Sequence, residues 1–188
     1  TAEKLKQEGV DLIFASDLKR TKQTAEIIAE VTGAELKFDE RLREINVGVF
    51  NGKPETEYSA QFASLEDKMT KAPEGGESLE GVRARMINIA LELDRAHQGK
   101  NILLVTHGDP IWVLETALTG EWSVEALQKH GDAHYLETGR FHELKVPNWP
   151  FDHKGLLDVH KPFIDAVTIG CDCGKEMKRV PEVMDVWF

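Results

Sequence analysis

The chain has 188 residues, 41% of them hydrophobic, which suits one ordinary domain or one domain with part of another. Its formal net charge of -10 argues against a nucleic-acid-binding surface, because such surfaces need an excess of lysine and arginine. No apolar stretch approaches the ~20 residues of a membrane span, no signal-peptide pattern is present, and two closely spaced cysteines favour a reducing cytoplasm.

Hydrophobic periodicity and Gly and Pro breaks predict strands and helices that alternate through the first three quarters of the chain. In chain order these are a helix over 1–7, a strand over 10–15, a helix from about 18 to 33 with Ser16 and Asp17 as candidate caps, a strand over 35–38, a loop over 39–54, helices over 55–69 and 78–97, a strand over 101–105, a helix over 111–118, a short helix capped by Ser123, and strands over 133–136 and 141–146 joined as a hairpin. This alternation predicts an α/β fold, a three-layer sandwich with a mostly parallel sheet.

The alternating pattern stops near Val146, where the texture of the sequence changes. Prolines at 147, 150 and 162 and an Asp-His-Lys-Gly turn at 152–155 replace it. We therefore predict a boundary at about this point, with one domain over 1–146 and a second segment over 147–188.

His107 directly follows the predicted strand over 101–105, and Pro110 suits the first turn of the helix after it. Ligands bind at the carboxyl ends of strands in open α/β sheets, and a helix N-terminus favours anions. The position therefore predicts a phosphate or carboxylate site around His107. A lone histidine at a strand end is more often a hydrogen-bonded structural residue, so this hypothesis depends on what surrounds it.

Three other stretches could converge on His107. Arg20 lies in the first turn of the helix after the first strand, and its planar guanidinium suits bidentate contact with phosphate. Glu44 lies in a loop between apolar residues, where partial burial would raise its carboxyl pKa and suit it to proton donation. Gly-Gly-Glu-Ser at 75–78 precedes a helix that carries Arg85. Read singly, Arg20 could be a solvated helix residue, Arg85 a surface partner of nearby acids, and Glu44 an exposed loop acid.

In this order and at these spacings, the four motifs over residues 1–146 resemble the histidine phosphatase, or phosphoglycerate-mutase-like, superfamily. The matching stretches are S-D-L-K-R-T-K-Q-T-A at 16–25, L-R-E-I-N-V-G at 42–48, G-G-E-S at 75–78 with Arg85, and V-T-H-G at 105–108.

That resemblance implies phosphoryl transfer from a phosphorylated small molecule through a phosphohistidine, with no metal and no organic cofactor. It implies that Arg20 clamps the phosphoryl group and that His107 is the second histidine, which stabilises charge on the transferring oxygens. It also implies that Glu44 protonates the leaving oxygen and later activates the acceptor.

The family's nucleophile belongs to an Arg-His-Gly motif at the end of its first strand, and no Arg-His-Gly occurs in these 188 residues. The nearest look-alike, Lys-His-Gly at 129–131, follows a predicted helix, and we interpret His130 as a polar residue at a helix end. Both ends of the chain look cut, so we expect the nucleophile segment to lie upstream of Thr1. The alternative is an inactive domain.

A second resemblance covers only residues 155–188. The strings G-L-L-D-V-H-K-P-F-I-D at 155–165 and M-K-R-V-P-E-V-M-D-V-W-F at 177–188 are similar to the catalytic core of isoleucyl-tRNA synthetase, a class I enzyme. It implies that Trp187 lines an amino-acid pocket. It also implies that a complete synthetase would use ATP, magnesium and tRNA, whereas this fragment lacks the ATP-binding signatures.

The cysteines depart from the pattern Cys-x-x-Cys-Gly that such synthetases often show. Here Cys171 and Cys173 are separated by a single residue and supply only two ligands in a cramped geometry. We therefore expect no metal site.

Together these patterns predict a fragment of an isoleucyl-tRNA synthetase-like polypeptide that carries a histidine-phosphatase-like domain. When complete, that domain would transfer or hydrolyse phosphomonoesters, and its host would aminoacylate tRNA with isoleucine. The second resemblance begins within about ten residues of the last strand of the first, which favours insertion into a surface loop. The alternative is a catalytically inactive inserted scaffold that positions tRNA or a partner.

Overall fold

The computed structural model describes residues 1–134 and 139–146, together with two short strands at 168–170 and 176–178. Its elements are α1 (Ala2–Gln7), β1 (Leu12–Ala15), α2 (Lys19–Thr32), β2 (Glu35–Phe38), α3 (Glu55–Ser59), α4 (Leu65–Thr70), α5 (Leu79–Ala96), β3 (Ile102–Val105), α6 (Gly108–Leu118), α7 (Val124–His134), β4 (Thr168–Gly170) and β5 (Glu176–Lys178). The predicted alternation of strands and helices is confirmed as an α/β fold with a small parallel sheet.

The sheet has the order β2-β1-β3, and β1 is parallel to both neighbours. Ala15 at the end of β1 is paired with Phe38 on one side and with Val105 on the other. The carboxyl ends of all three strands therefore lie level at one edge of the sheet. Ser16 and His107, which follow β1 and β3, emerge there side by side.

The side chains of β1 alternate between two hydrophobic cores, as the two-residue period of a strand requires. Ile13 and Ala15 pack with buried side chains of α1 and α2. Phe14 packs in a second cluster that contains most of the buried side chains of α5 and α6. Helices therefore cover both faces of the sheet, and the described part of the chain has three layers.

Two helix boundaries differ from the prediction for local reasons. The helix expected over 55–69 is divided into α3 and α4, because Ser64 caps a new start and accepts a hydrogen bond from the Asp67 backbone amide. The helix α2 begins at Lys19 with Leu18 in the cap position, so the predicted caps Ser16 and Asp17 are wrong. Both of those side chains are engaged elsewhere.

The hairpin predicted near the end of the first domain is not observed. The helix α7 continues to His134, so the strand expected over 133–136 is wrong for its first two residues, and 135–138 lie outside the described residues. Residues 141–146 form no strand. Phe141 instead packs against the core of α1 and α2, and His142 contacts the buried Glu115 of α6.

The look-alike histidine also differs from its prediction, since His130 lies inside α7 rather than at a helix end. The strands β4 and β5 pair in antiparallel fashion, with Thr168 opposite Lys178, and the two cysteines fall between them in sequence. The proposed domain boundary falls in residues that the structure does not describe. Among the described helices, none combines the length and the apolar character needed to cross a membrane.

Candidate active site

The ends of two strands and one loop bring the candidate residues to one place. His107 follows β3, forms the N-cap position of α6 and is 6% exposed. Arg20 lies in the first turn of α2, and Glu44 lies in the loop that follows a short 3₁₀ turn at Glu40–Leu42. The structure thus brings together three residues that the sequence singled out from widely separated positions.

Both ring nitrogens of His107 have a polar partner. Arg20 donates a hydrogen bond from Nε to His107 Nδ1 at 3.1 Å. On the other side of the ring, His107 Nε2 lies 2.8 Å from the Oγ atom of Ser16, which is fully buried. Burial, followed by the positive charges of Arg20 and Arg85, lowers the pKa of His107 to about 4. The imidazole is therefore uncharged at neutral pH.

Glu44 lies against the N-terminus of α6. One of its carboxylate oxygens is 4.0 Å from an Nη atom of Arg20, and the other accepts a hydrogen bond from the Ile45 amide at 3.0 Å. Burial is the largest influence on this carboxyl and raises its pKa, although backbone hydrogen bonds from Ile45 and Asp109 act in the opposite direction. A carboxyl with a raised pKa can hold a proton closer to neutral pH and give it to a substrate.

The guanidinium of Arg20 is the solvent-exposed part of the site. Its side chain is 65% exposed, although Nε is held by His107. The Nη atoms are therefore open to solvent on the side that faces Glu44. A phosphate or carboxylate that enters from solvent would contact the guanidinium of Arg20 first.

The loop that carries Glu44 is held between β3 and the segment before α5. Thr106 donates a hydrogen bond to the Leu42 carbonyl at 2.7 Å, which fastens the loop next to His107. At its other end, the Asn46 amide donates to Glu77 Oε1 at 2.8 Å. These hydrogen bonds fix the backbone on both sides of Glu44. The position of Glu44 therefore does not depend on a rigid side chain.

Gly48 ends this loop in a position that only glycine fits. Its φ is +56°, and an added Cβ would lie 2.0 Å from the Glu74 carbonyl oxygen. The loop and the Gly-Gly turn at 75–76 therefore pack backbone against backbone. This explains why the matching motif at 42–48 ends in glycine.

Arg85 does not join the three central residues. It forms two hydrogen bonds with Glu77, of 3.0 and 2.9 Å, and a third with the Arg41 carbonyl oxygen. Its side chain is largely buried in these contacts. The geometry thus matches the interpretation of Arg85 as a partner of a nearby acid. Its positive charge nevertheless helps to lower the pKa of His107.

Three residues at the rim were not singled out from the sequence. Lys68 Nζ is 3.5 Å from Asp109 Oδ2 and lies over the ring of Tyr58 at 5.3 Å. Burial and the nearby charges of Asp109, Glu77 and Glu44 raise the pKa of Tyr58 to about 12. Asp109 could have been noticed, since it stands in the same string as His107. No local pattern marks Tyr58 or Lys68.

The sequence predicts Ser16 as a helix cap, whereas the structure makes it a direct partner of His107. The motif at 16–25 contains Ser16. In the sequence, however, a serine that caps a helix cannot be told from a serine that ends the preceding strand. Trp187, the other predicted site residue, lies outside the described residues, as do Cys171 and Cys173. Where side chains are described, no cluster of three or more His, Cys, Asp or Glu residues could hold a metal ion.

Comparison with known proteins points to one family. The model of the histidine phosphatase superfamily (branch 1) matches residues 1–141, three quarters of the chain. The probable phosphoglycerate mutase GpmB of Yersinia pestis (strain Pestoides F) is 35% identical over 127 residues, which cover 63% of this chain and 58% of that protein. The chain thus spans little more than half the length of this relative.

The fold is also similar to those of solved structures. A mycobacterial glucosyl-3-phosphoglycerate phosphatase in complex with inorganic phosphate superimposes with a TM-score of 0.59 at 31% identity, over 68% of this chain and 67% of that one. Bacillus stearothermophilus YhfR superimposes with a TM-score of 0.58 at 27% identity, over 66% and 64% of the two chains.

Proposed function

Because the chain belongs to the histidine phosphatase superfamily, we propose that residues 1–146 bind the phosphoryl group of a phosphorylated small molecule between Arg20 and His107. One observation carries the proposal. Arg20 Nε contacts His107 Nδ1 at 3.1 Å, and Glu44 lies 4.0 Å from the same guanidinium. A cation, an imidazole and a carboxyl with a raised pKa therefore meet at the N-terminus of α6, where anions are favoured.

We assign each of the three groups one role in phosphoryl transfer. Arg20 binds two phosphoryl oxygens through its exposed Nη atoms, which requires only a small rotation of an already exposed side chain. His107 stabilises negative charge on the transferring oxygens. Glu44 donates a proton to the leaving oxygen and then accepts one from the incoming nucleophile, in keeping with the raised pKa of its carboxyl.

The nucleophile is not among these groups. We propose that a histidine is supplied on an additional strand beside β3. Within the described residues β3 pairs only with β1, and its four apolar residues are only half-buried, whereas Ile13, Phe14 and Ala15 of β1 are buried. A parallel strand on that edge would end next to His107 and would complete the burial of β3.

The relatives suggest the size of the substrate. Their names refer to a phosphoglycerate mutase and a glucosyl-3-phosphoglycerate phosphatase. For this chain we propose a small phosphomonoester, handled without a metal or an organic cofactor. We propose the cytoplasm as its compartment on the basis of the low cysteine content alone.

For residues 155–188 we propose a part of an isoleucyl-tRNA synthetase-like core, supported by the two sequence strings. Trp187 would line the amino-acid pocket, and ATP, magnesium and tRNA would be bound by other parts of a complete synthetase. If residues 1–146 bind no phosphate, a non-catalytic scaffold that positions tRNA or a partner becomes the better account of them.

Removal of Arg20 tests the proposed pocket. We expect the Arg20→Ala variant to bind inorganic phosphate at least about tenfold more weakly than the parent chain, because a bidentate charge-assisted contact is lost. Isothermal titration calorimetry at fixed ionic strength measures the affinity.

The matched control is Lys19→Ala, which removes one positive charge from an exposed neighbouring position of the same helix turn. It should bind phosphate within about twofold of the parent chain. Equal losses in the two variants would mean that only the general positive charge matters, and would contradict a pocket built on Arg20.

A further inference from the structure

Ser16 contacts the catalytic imidazole directly, although the proposed function gives it no role. It follows β1, is fully buried, and its Oγ lies 2.8 Å from His107 Nε2. Its backbone is fixed on both sides. The Ser16 amide donates to the Val105 carbonyl at 2.9 Å, and the Ser16 carbonyl accepts from Thr21 Oγ1 at 3.0 Å. The hydroxyl is thus presented to the ring by a rigid strand end.

The proton positions follow from what each partner can do. A guanidinium donates hydrogen bonds and cannot accept them, so His107 Nδ1, which faces Arg20 Nε, must be the unprotonated nitrogen. A neutral imidazole then carries its proton on Nε2. That N–H points to Ser16 Oγ, which accepts it. Ser16 Oγ also accepts a longer bond of 3.4 Å from the Leu18 amide.

The two nitrogens of His107 therefore face different surroundings. Nε2 faces the fully buried Ser16, and Nδ1 faces the exposed Arg20 and, beyond it, Glu44. A phosphoryl group held by Arg20 would thus approach the ring from the Nδ1 side.

We propose that Ser16 is the positioning residue of the site: by accepting the Nε2–H of His107 it holds the ring so that Nδ1 faces the bound phosphoryl group. The role rests on the proposed function, while the ring contact does not. When a phosphate dianion replaces Arg20 Nε beside the ring, Nδ1 takes a proton from solvent and donates it in a hydrogen bond to a phosphoryl oxygen. The proton on Nε2 remains there throughout, and this N–H continues to donate its hydrogen bond to Ser16 Oγ.

Charged groups from four parts of the structure influence whether the imidazole of His107 is protonated. Arg20 of α2 and Arg85 of α5 disfavour the charged imidazole in the free protein, in addition to burial. Glu44 of the preceding loop and Asp109 of α6 carry the opposite charge nearby. A bound phosphate adds two negative charges on the Nδ1 side, which favours the imidazolium.

Nitrogen-15 spectra of the histidine side chains test the proposal in the intact 188-residue chain. Without ligand at neutral pH, we expect His107 to carry its proton on Nε2. With saturating inorganic phosphate, we expect both nitrogens to be protonated. A free protein with the proton on Nδ1 would overturn the assignment of Ser16 as the acceptor of the His107 Nε2–H, whether or not phosphate binds.

Variants separate positioning from folding. Ser16→Ala should weaken phosphate binding about tenfold and reduce the protonation of Nδ1 by phosphate, because a buried N–H loses its acceptor. Ser16→Thr keeps the hydroxyl and should restore the parent spectrum. The control Thr32→Val removes a threonine hydroxyl at the far end of α2, where it donates to the Ile28 carbonyl at 2.8 Å, and should leave both the spectrum and the affinity unchanged.

If Ser16→Ala binds phosphate as the parent chain does and shows the same His107 signals, Ser16 has no positioning role. If Ser16→Ala does not fold, the proton position in the parent chain and in Ser16→Thr decides. If the parent chain binds no phosphate, the proposed function fails, and the ligand-free spectrum still decides whether Ser16 holds the ring.

Discussion

At the scale of single residues, the site is built from contacts between positions that are far apart in the chain. Arg20 and His107 are separated by 87 positions, and Ser16 and His107 by 91. Each contact joins groups that are buried or partly buried, where an unpaired polar atom is costly. Rotation of the His107 ring would therefore break its contact with the buried hydroxyl of Ser16.

The pH dependence of stability reports the state of His107. In the folded chain its pKa is lowered from 6.5 to about 4, so between these values the unfolded chain binds the additional proton. The contribution of His107 to stability therefore rises with pH across this window, by up to ~3 kcal/mol for a shift of this size.

The variant His107→Asn removes that contribution, and the difference in unfolding free energy between parent and variant should change across pH 4 to 6.5. Urea unfolding at several pH values measures it. A difference that stays constant with pH would show that His107 is not held neutral in the folded protein.

At the scale of elements, the strand register and one glycine place the site. The pairing of Ala15 with Val105 makes the ends of β1 and β3 level, so that Ser16 and His107 meet. The loop with Glu44 reaches the same edge because Gly48 allows two backbones to pack closely. Both features act on the position of the backbone and carry no chemistry themselves.

Substitution of Gly48 tests this role. In Gly48→Ala the new Cβ would overlap the Glu74 carbonyl, at a φ that disfavours side chains, so we expect a loss of about 2 kcal/mol or more in stability. Because the loop must shift, we also expect weaker phosphate binding. Thermal and urea unfolding, with calorimetry for phosphate, measure the two effects.

The chain offers a matched control in Gly52, which has a φ of +79° and no atom within 4 Å of an added Cβ. Gly52→Ala should cost only the ~1 kcal/mol of the left-handed conformation and leave phosphate binding unchanged. Equal effects of the two variants would contradict a special role for the close packing at Gly48.

The sequence predicted much of the fold because the strands and long helices have strong periodic patterns. The strand Glu35–Phe38 was predicted with its observed bounds, and Gly33 ends α2 in the left-handed conformation. Prediction from the sequence failed where tertiary contacts decide the conformation. Residues 141–146 contain Phe, Leu and Val in a short run that resembles a strand, but Phe141 and His142 instead contact side chains of α1, α2 and α6.

The same distinction applies to the candidate site. His107, Arg20 and Glu44 stand in motifs and could be singled out, and they do lie together. Ser16 could not be separated from a helix cap, because its partner is 91 positions away. Tyr58 and Lys68 reach the rim only through the packing of α3 and α4.

At the scale of the whole molecule, the incomplete surface is the outer edge of β3. Its half-buried apolar residues, in the part of the sheet that the structure describes, suit the addition of a strand. We therefore expect the 188-residue chain alone not to hydrolyse p-nitrophenyl phosphate, since it contains no Arg-His-Gly motif.

A polypeptide extended at its N-terminus by a strand that ends in Arg-His-Gly should form phosphohistidine when incubated with a reactive phosphodonor, as detected by mass spectrometry under alkaline conditions. The same extension with the histidine replaced by alanine is the control. Turnover by the unextended chain that persists in His107→Ala and disappears in His130→Ala would contradict this account of the nucleophile.

The most direct test of the proposed pocket is a titration of the chain with inorganic phosphate, followed by nitrogen-15 spectra of its histidines. The account predicts that His107 shows the largest, saturable change and that this change is lost in Arg20→Ala. Saturable binding that perturbs His130 of α7 and leaves His107 unaffected would contradict it.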